Sequence, residues 1–247
     1  MPVSSTEAFV LRTYKLAEND KIAILFTRDH GKVRFVAKGA RKMKNRFGAA
    51  LEILTHLKIS FFEKANRELQ ILEQAEILFS PHMREGASRT HYYLFYFAEL
   101  MNEFFPDHEK NLKAFRMLMN IEKALKNKQN LEFLGRYIEL HLLHSQGILS
   151  SVAFCSGCNR RFESLQERRY LGTGTEIFCK RCRTTESYVL SAPVVKSIDS
   201  FEKGSMDWAK TLPGPVMNEL ASLNQMLIQR FLGKDLQSYR LRKDLAE

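Results

Sequence analysis

The chain has 247 residues, of which 45% are hydrophobic and 27% charged, with 12 glycines and 6 prolines. At roughly 150 residues per domain this is one to two domains with enough apolar material for a core, which excludes a collagen-like or Pro/Gly-rich disordered chain. Lys plus Arg number 38 against 28 for Asp plus Glu, and a net charge of +10 points to a polyanionic partner, nucleic acid before an anionic membrane.

Residues 6–80 read as β-rich. Short apolar runs lie at Ala8–Leu11, Ile22–Phe26, Val33–Ala37, Leu57–Phe61 and Leu69–Leu78. Turn signals separate them at Glu18-Asn19-Asp20, His30-Gly31 and Lys64-Ala65-Asn66. Five short strands over this length predict a small barrel, the five-stranded OB-fold being the common one. Pro81 ends the last strand. Apolar residues then recur at helical spacing over Tyr92–Phe105, Leu112–Leu125 and Leu131–Leu143, and Gly147 suits a C-cap. Further helices are expected over 190–201 and 215–232, the last closed by Gly233. The fold class is therefore α+β and multidomain. The OB-fold takes 1–80, the first part of a helical bundle 81–149, an inserted cysteine module 150–186, and the rest of the bundle 187–247. The longest apolar stretch, near 94–105, is interrupted by Glu99, Asn102 and Glu103 and falls short of the roughly 20 residues a membrane span needs. The N-terminus shows no basic n-region and no apolar h-region, so a cytoplasmic protein is expected.

The four cysteines, Cys155, Cys158, Cys179 and Cys182, form two C-x2-C pairs separated by twenty residues. In a reducing compartment this spacing reads as a metal site, because each pair places two thiolates on one side of a tight knuckle and two knuckles complete a tetrahedron. Four thiolates leave no open coordination position, so one structural Zn2+ is expected, iron being the alternative with the same ligands. Ser156-Gly157 and Lys180-Arg181 fill the knuckles with small or cationic residues.

Lys32, Arg34, Lys38, Arg41, Lys42, Lys44 and Arg46 place seven cations within fifteen residues that contain no acid. They leave the third strand and approach the fourth, where an OB-fold can track phosphates. Phe35 and Phe47 can stack on bases, but residues of this kind in short strands more often pack in the core. The same holds for the aromatic run His91–Phe97. His141 and His144 lack accompanying ligands and read as structural. Glu18 and Asp20 alone make a poor magnesium site. P-loop, G-x-G-x-x-G, H-E-x-x-H and G-x-S-x-G motifs are absent, and no enzyme activity is expected.

Several of these stretches resemble the bacterial recombination-mediator family RecO. They are Glu18-Asn19-Asp20-Lys21-Ile22, Leu25-Phe26-Thr27, Lys38-Gly39-Ala40-Arg41, Arg46-Phe47-Gly48, Gln74-Ala75-Glu76 and the tail Leu232–Ser238. Asn45 stands where the resemblance leads one to expect serine. The resemblance implies an OB-fold, a helical bundle and a zinc module. It implies a repair protein, nucleoid-associated, that binds single- and double-stranded DNA and anneals complementary strands. It also implies capture of the C-terminal tail of single-strand-binding protein and, with RecR, loading of RecA at gaps. A zinc-stapled protein adaptor and an RNA-binding OB protein are the alternatives.

Overall fold

The computed structural model describes residues 3–62, 68–81, 88–204 and 212–244. The turn expected at Lys64-Ala65-Asn66 lies outside the described residues. Strands β1 (Val3–Lys15), β2 (Lys21–Thr27), β3 (Gly31–Ala37), β4 (His56–Phe62) and β5 (Leu69–Phe79) close into a barrel in the order β1-β2-β3-β5-β4. All neighbours are antiparallel except β3 and β5, which run parallel. This is the expected OB-type barrel. Closure depends on β1. Its first half, Val3–Phe9, pairs with β4 and its second half, Ala8–Lys15, with β2, and the register shifts between Val10 and Arg12. An irregularity of this kind bends a strand and lets one segment serve two neighbours.

Inward side chains alternate along the strands: Ala8 and Val10, Ala23 and Leu25, Val33 and Phe35, Leu57, Ile59 and Phe61. The run Ala8–Leu11 is apolar without alternation because both of its faces are covered. Phe9, facing out of the barrel, stacks on His56 at 4.3 Å and meets Phe115 edge-on. Phe26 meets Phe105 in the same way.

Among the described residues six helices follow: α1 (Ser88–Phe104), α2 (Leu112–Lys126), α3 (Leu131–Ser145), α4 (Ala192–Glu202), α5 (Gly214–Leu232) and α6 (Gln237–Asp244). Gly147 and Gly233 both take positive φ at helix ends, where an L side chain would be strained. The aromatic run on α1 is core: Tyr92, Tyr93, Tyr96 and Phe97 are all buried. Between α3 and α4 lies a three-stranded sheet of order β7-β6-β8, made of β6 (Arg169–Leu171), β7 (Ile177–Phe178) and β8 (Tyr188–Leu190). Among the described residues no helix is long and apolar enough to cross a membrane.

By contact the chain divides into two compact units, Met1–Leu131 with Leu236–Glu247, and Glu132–Asp235. Helices α1, α2 and α6 thus group with the barrel, and α3, α4 and α5 with the cysteine segment. In the first unit the buried Glu99 of α1 accepts the backbone N–H of Gln237 at 2.7 Å and of Ser238 at 2.9 Å. These are donors at the start of α6 that have no partner within the helix. In the second unit the buried Glu139 pairs with Arg136 and accepts from Asn224 Nδ2 at 2.9 Å.

Replacing Glu99 with Ala strands two N–H groups, the buried one of Ser238 and the part-buried one of Gln237. The expected cost is about 1–3 kcal/mol of stability, with faster amide exchange at Gln237 and Ser238, read by hydrogen-exchange mass spectrometry. Unchanged exchange there would show that Glu99 does not hold α6.

Candidate nucleic-acid interface and metal centre

The loop after β3 carries most of the basic stretch, and its fold explains where the cations go. Apolar residues of the loop turn inward: Ala40, Phe47, Ala50 and Leu51 all join the barrel core, and Phe47 is only 3% exposed. The short 3-10 turn Gly48–Leu51 brings the last two of these in. Asn45 shapes the approach. Its Oδ1 accepts the N–H of Phe47 at 3.0 Å and of Gly48 at 2.8 Å, and its Nδ2 donates to the Lys42 carbonyl at 3.0 Å. The departure from serine at this position therefore keeps the local role of a short side-chain acceptor in a turn.

The loop is also tied to the β1–β2 connection. Asp20 Oδ1 accepts the Gly39 N–H at 2.8 Å, the Arg41 N–H donates to the Asn19 carbonyl at 3.0 Å, and the Arg41 guanidinium donates to the Ala17 carbonyl at 2.7 Å. Between these two segments lies a hollow of about 660 Å3, lined among others by Asn19, Asp20, Lys38, Lys42, Lys44 and Arg46. Sequence reasoning missed Asp20 and Asn45 as organisers. Their turn chemistry was visible, but the pairing of the two loops was not.

The seven expected cations divide into groups. Lys38, Lys42 and Lys44 are exposed, and their ammonium groups have no ion-pair partner among the described residues. Arg41 and Arg46 are exposed but engaged. Arg46 pairs with Glu73 at 3.1 Å, donates to the Leu72 carbonyl at 3.2 Å and lies over the Phe47 ring. Lys32 and Arg34 point elsewhere. Both pair with Asp107, at 3.1 and 3.0 Å, and Lys32 is buried, its Nζ also donating to the Asn102 carbonyl. The segment after α1 lies along the start of β3, with the His108 N–H on the Lys32 carbonyl at 2.8 Å. Gly31 is required for that approach, since a Cβ there would stand 2.0 Å from the Glu109 carbonyl oxygen. Phe35 and Phe47 are both in the core, as expected for residues of this kind, and present no stacking surface.

The four cysteines converge. Their sulfur atoms all lie within 4.8 Å of one another. A tetrahedron with metal–sulfur bonds of about 2.3 Å has edges of about 3.8 Å, so the set can hold a metal ion. Each knuckle is closed by backbone bonds. The Asn159 N–H reaches the Cys155 carbonyl at 2.8 Å, and the Cys182 and Arg183 N–H groups reach the Cys179 carbonyl at 3.1 Å. The second knuckle follows directly on β7, and Ser156 ties the first to that strand through the Ile177 carbonyl at 2.7 Å. Gly157 permits the closeness of the two, because a Cβ there would come within 2.8 Å of Cys182 Cβ.

The electrostatics favour thiolates at the buried end. Burial pushes the Cys179 thiol up, but N–H groups at Cys182 and Arg181 and the Arg160 guanidinium outweigh it, leaving a pKa of about 6. Burial likewise raises Cys155, and the amides of Cys179, Cys158 and Gly157 turn the balance downward. Cys182 moves the other way, pushed up to about 12 by its hydrogen bond with Cys158 and by burial. Thiols this close cannot all ionise without a cation, and a divalent ion held by the four sulfurs would take the place of the shared protons. Around the site, the buried Arg169 donates to the carbonyls of Val152, Glu167 and Ser164 and lies 4.3 Å over the Phe162 ring. It holds the segment between the knuckles, a role that its one letter among many arginines did not announce.

Two family models match the chain, "Recombination protein O N terminal" over residues 1–81 and "Recombination protein O C terminal" over residues 88–240. Among curated proteins, the DNA repair protein RecO of Koribacter versatilis is 30% identical over 231 residues, covering 92% of this chain and 91% of that protein. The DNA repair protein RecO of Symbiobacterium thermophilum is 31% identical over 74% of this chain and 72% of that protein. That of Geobacter metallireducens is 32% identical over 74% and 73%. With an OB-type barrel ahead of helices that flank a four-cysteine cluster in the chain, and with family matches over both halves, the chain belongs to the RecO family of DNA repair and recombination proteins.

Proposed function

We propose that this protein is a recombination mediator that works by binding rather than by catalysis. It holds single- and double-stranded DNA, anneals strands coated with single-strand-binding protein after capturing that protein's C-terminal tail, and acts with RecR to load RecA at gaps. The observation that supports it best is the hollow beside the barrel, where Lys38, Lys42 and Lys44 present ammonium groups free of protein partners. Cations already neutralised in the fold gain less from a phosphate, so the contact belongs to these three lysines, assisted by Arg41 and Arg46. Lys32 and Arg34, both on Asp107, take a structural part. The ion in the four-cysteine cluster is one structural Zn2+, held by Cys155, Cys158, Cys179 and Cys182, and it supplies the cross-link between the knuckles.

Substituting Lys38, Lys42 and Lys44 together with Ala leaves the fold unchanged, because none of the three ammonium groups bridges to the protein. Three lost phosphate contacts lower the slope of log affinity against log salt on single-stranded DNA by about 2. The same variant loses its acceleration of annealing between complementary strands coated with single-strand-binding protein, followed by a fluorescent duplex signal. A slope equal to that of the wild type would remove the loop from the interface.

The metal is tested by content and stability together. Cys155→Ser is expected to lose bound zinc and to lower Tm, and Gly157→Ala to weaken zinc binding through the crowding at Cys182, both measured by elemental analysis and thermal unfolding. Equal zinc content in Cys155→Ser and wild type would exclude this ligand set.

A further inference from the structure

The loop that carries the lysines presents one large apolar side chain fully to solvent. Met43 is 99% exposed, while Ala40, Phe47, Ala50 and Leu51 of the same loop are all buried. Its backbone position is fixed on both sides. Upstream, Gly39 and Arg41 are bonded to the β1–β2 connection, and the Lys42 N–H donates to the Gly39 carbonyl at 3.0 Å. Downstream, the Asn45 side chain closes the turn back onto the Lys42 carbonyl. Met43 thus sits at the apex of a braced turn. Lys42 and Lys44, its two chain neighbours, line the hollow, and the Met43 side chain stands in solvent between them in the sequence.

We propose that Met43 is the base-contacting residue of the single-strand interface, packing its thioether on the face of an unstacked base whose flanking phosphates lie on Lys42 and Lys44. This rests on the phosphate-binding reading of the loop. A groove that tracks the backbone of a single strand with cations ordinarily meets the bases with an aromatic platform set among those charges. Here both aromatic candidates of the segment, Phe35 and Phe47, are spent in the core, and the apex offers a polarisable, flexible side chain that makes favourable contacts with π-faces. The contact is to a ring face and reads no hydrogen-bonding edge, so it is indifferent to sequence.

The test compares binding of an oligothymidylate and an abasic strand of equal length by wild type, Met43→Ser, Met43→Leu and the triple lysine variant, across a salt series. Wild type is expected to prefer the base-bearing strand. Met43→Ser loses about threefold to tenfold on that strand only, with the salt slope unchanged, and Met43→Leu keeps the preference. A Met43→Ser protein that retains the wild-type preference overturns the inference while leaving the lysine reading intact. A wild-type protein whose salt slope the triple lysine variant does not alter overturns the lysine reading and this inference with it.

Discussion

The placement of Phe47 in the barrel interior governs the surface of the loop after β3. A loop with seven cations in and near it would repel itself outward into solvent unless something fixed it. Phe47, with Ala50 and Leu51, supplies that anchor from within the same segment, at the point where the chain must turn from β3 toward β4. The consequence is geometric. Once the apolar residues point inward, Lys38, Lys42 and Lys44 have solvent as their only direction. The ties to Ala17, Asn19 and Asp20 then fix which patch of solvent they face. Burial of one ring thereby sets the orientation of three charges, without any ion pair that would neutralise them.

The chain crosses from one compact unit to the other and returns. Leu236–Glu247 groups with the barrel, α1 and α2, although the residues before it belong to the unit containing the cysteines. The carboxylate of Glu99 anchors the start of α6, and Tyr239 packs its ring 5.9 Å from that of Tyr96. The sequence Gln237–Asp244 is too polar to announce a helix by periodicity, so its anchoring falls to a buried acid and one aromatic. The cysteine cluster sits in the second unit, where β6, β7 and β8 have only three, two and three residues. Strands so short bury little surface, and a cross-link among four sulfurs is the natural means of fixing them.

This contrast marks what can be read from sequence. The five barrel strands were legible because apolar runs bounded by turn residues are a local signal, and the cysteine cluster because spacing alone carries it. The first three helices and the core role of the aromatic run on α1 followed from period and volume. Strands β6–β8 and helix α6 were not legible, since each is too short or too polar to generate a period. The basic stretch was legible as a set of cations and not as a surface. That Lys32 and Arg34 are drawn onto Asp107 depends on a segment some seventy residues later in the chain lying against β3, and nothing local to either lysine or arginine encodes it. Gly31 reads from sequence as a turn residue, whereas its deeper reason, the Glu109 backbone at its back, is tertiary.

Strand annealing, the activity proposed, places a demand on a binding surface that ordinary recognition does not. The partner strand must find the Watson–Crick edges of the bases, so the protein must hold a strand without occupying them. Ammonium groups meet this demand because they take the phosphate and leave the base alone, and they lower the repulsion between two backbones brought together. Guanidinium forks are suited to bidentate contacts with base edges, and here both arginines of the loop are restrained by bonds to the protein, Arg41 to a carbonyl and Arg46 to a carboxylate. What projects freely is lysine on either side of a thioether, a point charge and a soft apolar surface, neither of which discriminates one base from another. A surface built from such groups binds any sequence about equally and gives it up as salt rises. It therefore fits a protein that must hold strands only until they pair.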